Sequence, residues 1–316
     1  MRADSLDPQL ATVIADIEAE GVPEWHELSV DAARRVEDEV FSGGDAPAMA
    51  LVRNLAFDGP HGEVPVRVYR PELEGAHTDG QPARTLVYFH GGGWTLGTLD
   101  SIDGVCRRLA DRADAVVVSV DYRLAPEHPF PVAADEAAAA VEWVAENAGA
   151  FGADPDRLGV AGTSAGGNLA AVACLHAREF DGPDIAGQFL IYPITDARTD
   201  SSSYRENADG PLLTRADMQW FIDRYLRSPV DAANPFVSPL RADDLSSLPP
   251  ATVVTAGFDP LREDGTRYAE RLSDAGVSVE HRHYPAMAHG FLSLTDRVDT
   301  AEEAMVDLAA DVRDRL

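Results

Sequence analysis

The 316-residue chain contains no lysine, so all 26 of its basic side chains are arginine. It has 54 aspartate and glutamate residues, and its formal net charge at pH 7 is −28. A surface with this charge repels nucleic acid and anionic membranes, so neither is an expected partner. Repulsion between the acids destabilises a compact fold in dilute salt, but at molar salt the Debye length falls to about 3 Å and most of that cost disappears. The composition predicts a protein adapted to the salt-rich cytoplasm of a halophilic prokaryote; the alternative is an acidic protein of an ordinary cell.

Cysteine is also scarce. Cys106 and Cys174 each lie in an apolar, helix-like context, which predicts buried, unreactive thiols and argues against a disulfide scaffold or a metal site. The sequence has no uninterrupted run of 18 apolar residues, so no transmembrane helix is expected. The first ten residues, "MRADSLDPQL", lack the basic and apolar regions of a signal peptide, which favours a cytoplasmic protein.

Short apolar segments alternate with helix-like segments along most of the chain. Strands are predicted at 51–57, 64–71, 85–90, 115–122, 157–163, 187–193, 251–257 and 277–284. Helices are predicted near 101–113, 134–149, 164–179, 214–227, 262–275 and 299–315. The first two strands alternate like an antiparallel pair, while most of the later ones are continuous apolar runs. This pattern is typical of an α/β fold with a mostly parallel sheet covered by helices on both faces.

Two regions break the alternation. Residues 1–50 look helical, with polar breaks at 21–24 and 43–47. Residues 195–248 form a long insertion between two predicted strands, and long excursions inside a compact fold are often lids or binding elements. A polar loop is expected at 72–83.

The sequence "GTSAG" at 162–166 matches the pattern G-x-S-x-G, with a predicted strand before it and a predicted helix after it. In that context the serine lies in a sharp turn above the carboxyl edge of the sheet, and its neighbours must be small. Gly162 and Gly166 meet this requirement, which makes Ser164 the candidate nucleophile. The alternative is an ordinary serine in a glycine-rich loop.

A second signal is "FHGGGW" at 89–94, at the end of a predicted strand. Consecutive glycines let backbone N–H groups approach a substrate closely. The oxyanion that forms when an ester is attacked needs such donors, and we expect them to be the N–H groups of Gly91, Gly92 and Ala165. A flexible or phosphate-binding loop is the alternative, but these glycines lead into neither a GK[ST] nor a GxGxxG pattern.

Asp259 in "GFDPLRED" and His289 in "MAHGF" each lie beyond a predicted strand. With Ser164 they follow the order serine, aspartate, histidine, which is the order of the α/β-hydrolases. His289 would accept the proton of Ser164 and return it to the leaving alcohol. Asp259 would orient the imidazole and stabilise its protonated form.

Other acids and histidines lie near these positions. Glu263 and Asp264 fall at the start of the next helix, where the helix dipole favours an acidic residue that has no catalytic role. His281 and His283 alternate within a predicted strand, which favours contacts with solvent or with a neighbouring strand.

The chain resembles the hormone-sensitive-lipase-like branch of the α/β-hydrolases, also called bacterial family IV esterases. The resemblance covers about residues 50–316 and rests on "HGGGW", "DYRLAPEHPFP", "GTSAGGN", "DPLRE" and "HGF", in the family's order. It implies the α/β-hydrolase fold, with an eight-stranded core and a helical cap. The implied division is a cap segment at 1–50, a first core part at 51–194, a cap insertion at 195–248 and a second core part at 249–316. Many members have aspartate in place of Thr163, which leaves the role of that residue open.

The resemblance implies a serine carboxylesterase that hydrolyses short- to medium-chain carboxylic esters through an acyl-enzyme, without a metal or cofactor. An acyltransferase, amidase or deacetylase with the same triad is the main alternative. Plant gibberellin receptors share the fold as non-catalytic binding proteins that have lost the histidine. The presence of His289 argues against that role.

We expect several residues around the site to contact the substrate or the cap. Trp94 is expected either to line the substrate pocket or to pack under the cap. Met218, Phe221 and Tyr225 lie at helical spacing and form an apolar stripe that packs the cap on the core. One edge of the stripe, at Met218 and Phe221, is a candidate contact for the acyl chain.

The resemblance also implies that "DYRLAPEHPFP" braces the glycine loop. Asp121, Arg123 and Glu127 are then expected in a polar network, and His90 is expected to position the loop. The last predicted strand, 277–284, should lie at an edge of the sheet, and exposed edges invite pairing. Relatives commonly dimerise there, so a homodimer through this strand is expected.

Overall fold

A computed structural model describes residues 1–43, 45–72 and 83–316, and most of the loop predicted at 72–83 lies outside these ranges. Eight strands form one sheet: β1 (Leu51–Gly59), β2 (Gly62–Arg70), β3 (Ala83–Phe89), β4 (Ala115–Val120), β5 (Ala153–Thr163), β6 (Gly187–Ile191), β7 (Ala251–Phe258) and β8 (Val279–Ala288). Their order is β1–β2–β4–β3–β5–β6–β7–β8. The β1–β2 and β2–β4 pairs are antiparallel and the other neighbours are parallel. The predicted sheet, mostly parallel with an antiparallel edge, is confirmed.

Helices pack around this sheet. They are α1 (Pro8–Ala19), α2 (Val30–Phe41), α3 (Asp103–Ala113), α4 (Val132–Asn147), α5 (Ala165–Glu179), α6 (Ser202–Glu206), α7 (Arg215–Tyr225), α8 (Arg262–Asp274) and α9 (Asp299–Arg315). Short 3-10 helices span Trp25–Glu27, Ala148–Phe151, Pro229–Ala233, Pro239–Arg241 and Phe291–Leu294. The sequence pattern places the long helices correctly because their apolar residues recur at helical spacing.

The two faces of the sheet carry separate apolar cores. In β4, Val116 and Val118 belong to the core that also contains buried residues of α4, α5 and α8. Val117 lies between them in sequence and belongs to the core shared with α1, α3 and α9. All three valines are fully buried, and burying one such side chain stabilises the fold by about 1.5–3 kcal/mol relative to exposure. The continuous apolar run of this strand therefore reflects burial on both sides.

Two helical parts of the N-terminal segment pack against different regions of the protein. Helix α1 buries Leu10, Val13 and Ile14 in the core of α3 and α9. The short helix Trp25–Glu27 lies instead against α7, where the N–H of His26 donates to the side chain of Asp217 at 2.9 Å.

Cys106 and Cys174 are buried free thiols, as predicted, and burial raises the pKa of both. Their protonated form therefore dominates, which makes them poor nucleophiles. Across the described ranges, none of the helices combines the length and the apolar character needed to cross a membrane.

Four of the strands run in the same direction and end at one edge of the sheet. Strands β3, β5, β7 and β8 are followed directly by His90, Ser164, Asp259 and His289, respectively. Because the carboxyl ends of parallel strands meet at the same edge, the loops that carry the predicted site residues converge there.

Candidate active site

Ser164 connects β5 to α5 in a backbone conformation that residues other than glycine rarely adopt, with φ 56° and ψ −116°. Its N–H donates to the carbonyl oxygen of Ile191 in β6 at 2.9 Å. Its carbonyl oxygen accepts the N–H of Asn168 in α5 at 3.0 Å. The strained turn is therefore held from both sides, and Ser164 is only 7% exposed.

The glycines on either side of Ser164 are sterically required. A Cβ atom on Gly166 would lie 1.9 Å from the carbonyl oxygen of Phe89 in β3. A Cβ atom on Gly162 would lie 2.3 Å from the backbone of Gly166. Both clashes are with backbone atoms, which cannot move without displacing β3 or α5. The prediction that this turn needs small residues is confirmed.

The structure brings together the three predicted triad residues. His289 Nε2 lies 3.0 Å from Ser164 Oγ, and His289 Nδ1 lies 2.9 Å from Asp259 Oδ2. Asp259 is fully buried, and its other oxygen, Oδ1, accepts the N–H of Leu261 at 2.8 Å. An imidazole in this position can take a proton from the serine hydroxyl while the carboxylate holds its Nδ1–H.

Tyr192 borders the imidazole and was not singled out by the sequence. Its ring centroid lies 4.7 Å from that of His289 and 5.9 Å from that of Phe291. Burial raises the pKa of Tyr192, so its hydroxyl stays protonated near neutral pH. The ring therefore restricts the imidazole by packing rather than by charge.

The loop at 90–98, here called the oxyanion loop, passes beside the nucleophile. A Cβ atom on Gly91 would lie 3.5 Å from the Cβ of Ser164. Gly92 has a φ of +102°, in the region that favours glycine, and its carbonyl oxygen accepts the N–H groups of Thr95 at 3.0 Å and Leu96 at 2.8 Å. These two bonds close a tight turn over Ser164.

The oxyanion loop and the start of α5 together offer three backbone N–H groups. Within the described ranges, the N–H groups of Gly91 and Gly92 have no hydrogen-bond acceptor in the protein. Ala165 is the first residue of α5, and the N–H groups of a first helical turn have no intrahelical partner. The structure therefore leaves all three predicted donors free for a ligand oxygen.

His90, the first residue of the oxyanion loop, holds the loop in place through a hydrogen bond and ring stacking. Burial lowers the pKa of His90 to about 4, so its ring is neutral, and Nδ1 donates to the carbonyl oxygen of Gly91 at 2.8 Å. The ring stacks on Tyr122 with centroids 4.3 Å apart, and the Tyr122 hydroxyl donates to the carbonyl oxygen of His90 at 2.8 Å. These contacts are those of a loop-positioning residue, as predicted.

Arg34 of α2 braces the same loop, although no sequence motif pointed to it. Its Nε donates to the carbonyl oxygen of Thr95 and its Nη2 to that of Ala125, both at 3.0 Å. It also forms a bidentate pair with Glu127, at 2.9 and 2.7 Å. The N-terminal segment thereby ties the oxyanion loop to the "DYRLAPEHPFP" segment.

The other polar residues of "DYRLAPEHPFP" use partners of their own. Arg123 forms an ion pair with the fully buried Glu136, which also accepts the Arg123 N–H at 2.8 Å. Burial raises the pKa of the Asp121 carboxyl. Arg123 and Glu127 therefore brace this segment through separate partners, and the N–H of Asp121 donates to the carbonyl oxygen of Pro65 at 3.0 Å, so the expected network joining the three residues is not observed.

Helix α7, in the insertion that is predicted to form a cap, packs directly on the oxyanion loop. Trp94 is fully buried and stacks on Tyr225 with ring centroids 4.1 Å apart and an angle of 6° between the planes. A Cβ atom on Gly93 would lie 2.2 Å from the ring of Phe221. Met218 is also buried. Trp94 thus packs against α7, and Phe221 and Tyr225 of the predicted apolar stripe lie against the loop.

The competing acids and histidines have structural contacts. Glu263 pairs with Ser202, and Asp264 accepts the N–H groups of Thr195 and Asp196, both at 3.1 Å. Both acids therefore attach the insertion to α8. His281 Nε2 and His283 Nδ1 each lie 2.9 Å from the hydroxyl of Thr255, on the neighbouring strand.

Among the described residues, one group could hold a metal ion by proximity: Glu24, His26 and Asp217. The oxygens of Asp217 already accept the N–H and the ring of His26, and the N–H and hydroxyl of Thr214, at 2.8–3.0 Å. The hydrogen bond that the His26 ring donates to the Asp217 carboxylate raises the pKa of His26. These contacts account for the cluster as a link between the N-terminal segment and α7.

The chain is similar in sequence and structure to several known esterases. A family model described as the α/β-hydrolase fold matches residues 86–293. The carboxylic ester hydrolase LipN of Mycobacterium tuberculosis is 44% identical over 302 residues, which are 92% of this chain and 78% of the relative. An ethyl acetate hydrolase of Pseudomonas putida is 36% identical over 312 residues, 96% of each chain. The structure of a hyperthermophilic esterase from the archaeon Pyrobaculum calidifontis superposes with a TM-score of 0.90, at 37% identity and 98% coverage of both chains. The chain therefore belongs to the α/β-hydrolase family, in its hormone-sensitive-lipase-like branch.

Proposed function

We propose that the chain is a serine carboxylesterase that hydrolyses short- to medium-chain carboxylic esters through an acyl-enzyme. The observation that carries the proposal is the hydrogen-bond path from Ser164 Oγ through His289 to Asp259 at the carboxyl edge of the sheet. Relatives named carboxylic ester hydrolase and ethyl acetate hydrolase support this substrate class. The chemistry of the triad needs neither a metal nor a cofactor.

The proposed reaction has two steps. Ser164 Oγ attacks the ester carbonyl while His289 Nε2 takes its proton, and the protonated imidazole then gives that proton to the leaving alcohol. In the second step His289 deprotonates a water molecule that attacks the acyl-enzyme, and the imidazolium then returns this proton to Ser164 Oγ as the bond to the acyl group breaks and the acid leaves. Asp259 keeps the Nδ1–H of His289 in place and stabilises the imidazolium in both steps.

The oxyanion of each tetrahedral intermediate is proposed to bind the N–H groups of Gly91, Gly92 and Ala165. Support comes from the position of Gly91 next to Ser164 and from the lack of acceptors for the glycine N–H groups within the described ranges. One well-aligned donor of this kind lowers the barrier by about 2.7–4 kcal/mol. The proposed hole is therefore a major part of the rate enhancement.

The cap is proposed to consist of the segments 1–50 and 195–248, above core parts at 51–194 and 249–316. Within the first segment, α1 packs with α3 and α9 on one face of the sheet. The part that follows α1 contacts α7 and the oxyanion loop. We propose that Phe221, Met218 and Trp94 limit the acyl-binding space. This proposal is supported by the packing of α7 against Gly93 and the rest of the oxyanion loop.

The proposal is tested by comparing the rates of three reactions of the same butyryl group in molar KCl. These are hydrolysis of its p-nitrophenyl ester, transfer from that ester to an added alcohol, and cleavage of the matching anilide. We expect ester hydrolysis to be the fastest of the three. In a series of p-nitrophenyl esters with longer acyl chains, kcat/KM should fall beyond medium chain length. Faster transfer to alcohol would identify an acyltransferase. Faster anilide cleavage would identify an amidase or deacetylase.

We also propose that the protein works in the cytoplasm of a halophilic prokaryote. Its net charge of −28 without lysine supports this. The temperature of unfolding is expected to rise between about 0.1 M and about 3 M KCl, because the Debye length shortens from about 10 Å towards 3 Å or less and screens the repulsion between carboxylates. Circular dichroism melts in the two salts measure this. An unfolding temperature that is the same in both would contradict the proposal.

A homodimer through the edge strand is the proposed assembly. Strand β8 lies at the end of the sheet, as expected for the segment 277–284. The N–H groups of Ala3 and Asp7 donate to the carbonyls of Pro285 and Ala286, so the N-terminal segment covers only the last part of the strand. The first part remains available for pairing with a second copy. Light scattering is expected to give twice the mass of the chain, and a monomer at every salt concentration would contradict this.

A further inference from the structure

We propose that Asn207 is a positioning residue for the catalytic acid, acting on the backbone of the loop that carries Asp259. The inference rests on the proposed triad. Asn207 follows α6 in the insertion and is 3% exposed. Its Nδ2 donates to the carbonyl oxygen of Asp259 at 2.9 Å and to that of Gly257 at 3.4 Å.

The loop at 257–262, here called the acid loop, lies where the sheet ladder stops. Strand β7 ends at Phe258, so the peptide of Asp259 has no partner strand. The carbonyl oxygen of Asp259 accepts the N–H of Arg262 at 3.1 Å, and Arg262 Nη1 donates to the carbonyl of Gly257 at 2.9 Å. Both of these bonds are internal to the loop. Asn207 supplies an amide from outside it.

The amide of Asn207 is itself held in place. The N–H of Asn207 donates to the carbonyl of Ser203 at 2.9 Å, and Ser203 Oγ donates to the carbonyl of Pro260 at 2.6 Å. Glu206 pairs with Arg262 at 2.6 Å. Helix α6 is therefore fixed to the acid loop at several points, so the Asn207 amide cannot simply follow a displaced carbonyl.

The orientation of the amide is set by its oxygen. Asn207 Oδ1 accepts a hydrogen bond from Arg2 Nη1 at 3.1 Å, which turns the NH₂ group towards Asp259. Because Arg2 also contacts the ring of Phe258, the N-terminal segment and the acid loop meet at this amide. An amide that donates on one side and accepts on the other fits this place, whereas a carboxylate does not.

The direction of the Asp259 carboxylate depends on this peptide. Oδ1 must accept the Leu261 N–H at 2.8 Å while Oδ2 accepts His289 Nδ1–H at 2.9 Å. Without the Asn207 donor, the carbonyl of Asp259 would keep only the Arg262 N–H, at 3.1 Å, and the less constrained peptide could shift and carry the carboxylate with it. A misplacement of about 1 Å in a catalytic group can cost about 100-fold in rate.

Two variants test the inference. Asn207→Leu is similar in size and has no donor, and Asn207→Asp keeps the acceptor for Arg2 but cannot donate. For p-nitrophenyl butyrate we expect kcat to fall about 10- to 100-fold with KM little changed. In Asn207→Leu the pH profile of kcat/KM should also differ from that of the wild type, because the carboxylate that faces His289 Nδ1 is displaced.

The matched control is Asn234→Asp, in the same insertion. Asn234 Oδ1 accepts the N–H of Phe236 at 2.9 Å, and an aspartate can do the same. Its kcat and pH profile should equal those of the wild type. Arg2→Leu, at an exposed residue, is a further variant that leaves the core intact, and it should lower kcat in the same direction by a smaller factor.

Proton NMR provides a readout that needs no substrate. The far-downfield resonance of the His289 Nδ1–H should shift upfield or broaden in both Asn207 variants and stay unchanged in Asn234→Asp.

A wild-type protein that hydrolyses no ester would overturn the proposed function while the resonance still tests this inference. Asn207 variants that melt earlier yet keep the wild-type kcat, pH profile and resonance would overturn the inference and leave Asn207 a structural residue. If neither Asn207 variant folds, Arg2→Leu becomes the test. An unchanged kcat and an unchanged His289 resonance in Arg2→Leu would overturn the inference.

Discussion

Replacing Ser164 by alanine is expected to lower kcat for p-nitrophenyl butyrate by at least about 10⁴-fold. The change removes the Oγ atom that lies 3.0 Å from His289 Nε2, so the imidazole has no nucleophile to activate. The proposed oxyanion donors and the cap remain, and they account for the residual rate. Initial rates in molar KCl, normalised to folded protein, measure the effect.

The controls for this variant separate chemistry from folding. Alanine meets the same backbone strain as serine at φ 56°, so the unfolding temperature should stay close to that of the wild type. Ser42→Ala, at an exposed serine directly after α2, should keep full activity. An organophosphate should add one phosphoryl group to the wild type and to Ser42→Ala, as seen by intact mass, but none to Ser164→Ala. Labelling or turnover by Ser164→Ala would place the nucleophile elsewhere.

Most of the fold could be predicted because each core strand is a short apolar run and each helix repeats its apolar residues at helical spacing. The ends of the elements were less predictable. Strand β5 begins at Ala153 rather than 157, within a polar stretch that apolar periodicity does not register. Strand β8 continues to Ala288 rather than 284, past a proline that usually marks the end of a ladder. Here backbone pairing with β7 extends the strand beyond its apolar pattern.

The site was predictable to the extent that its chemistry lies in local motifs. Ser164, Asp259 and His289 each follow a strand, and their order along the chain carries the information. Arg34 and Asn207 were not predictable in this way. Both act on backbone carbonyl oxygens of distant segments, and any residue type can supply a carbonyl. Nothing in the sequence of the accepting loop marks the donor.

Asp259→Asn is expected to lower kcat by about 10³- to 10⁴-fold, the second largest effect after loss of the nucleophile. The N–H of Leu261 donates to Oδ1 at 2.8 Å and would fix the amide oxygen of an asparagine at that position. The NH₂ group would then face His289 Nδ1, in place of Oδ2 at 2.9 Å. A donor there binds the tautomer that carries its proton on Nε2, and that proton points at Ser164 Oγ. The imidazole would therefore be unable to accept the serine proton.

Glu263→Gln is the matched control, because it neutralises a neighbouring acid whose contacts are with Ser202. We expect its kcat to stay within about twofold of the wild type, since exposed or partly buried polar contacts of this kind contribute little to a transition state elsewhere. Both variants should bind the organophosphate at Ser164, but Asp259→Asn should react far more slowly because the nucleophile is no longer activated. If Glu263→Gln lost activity to the same extent while Asp259→Asn kept it, the acid of the triad would be Glu263, and the hydrogen bond between Asp259 and His289 would have only a structural role.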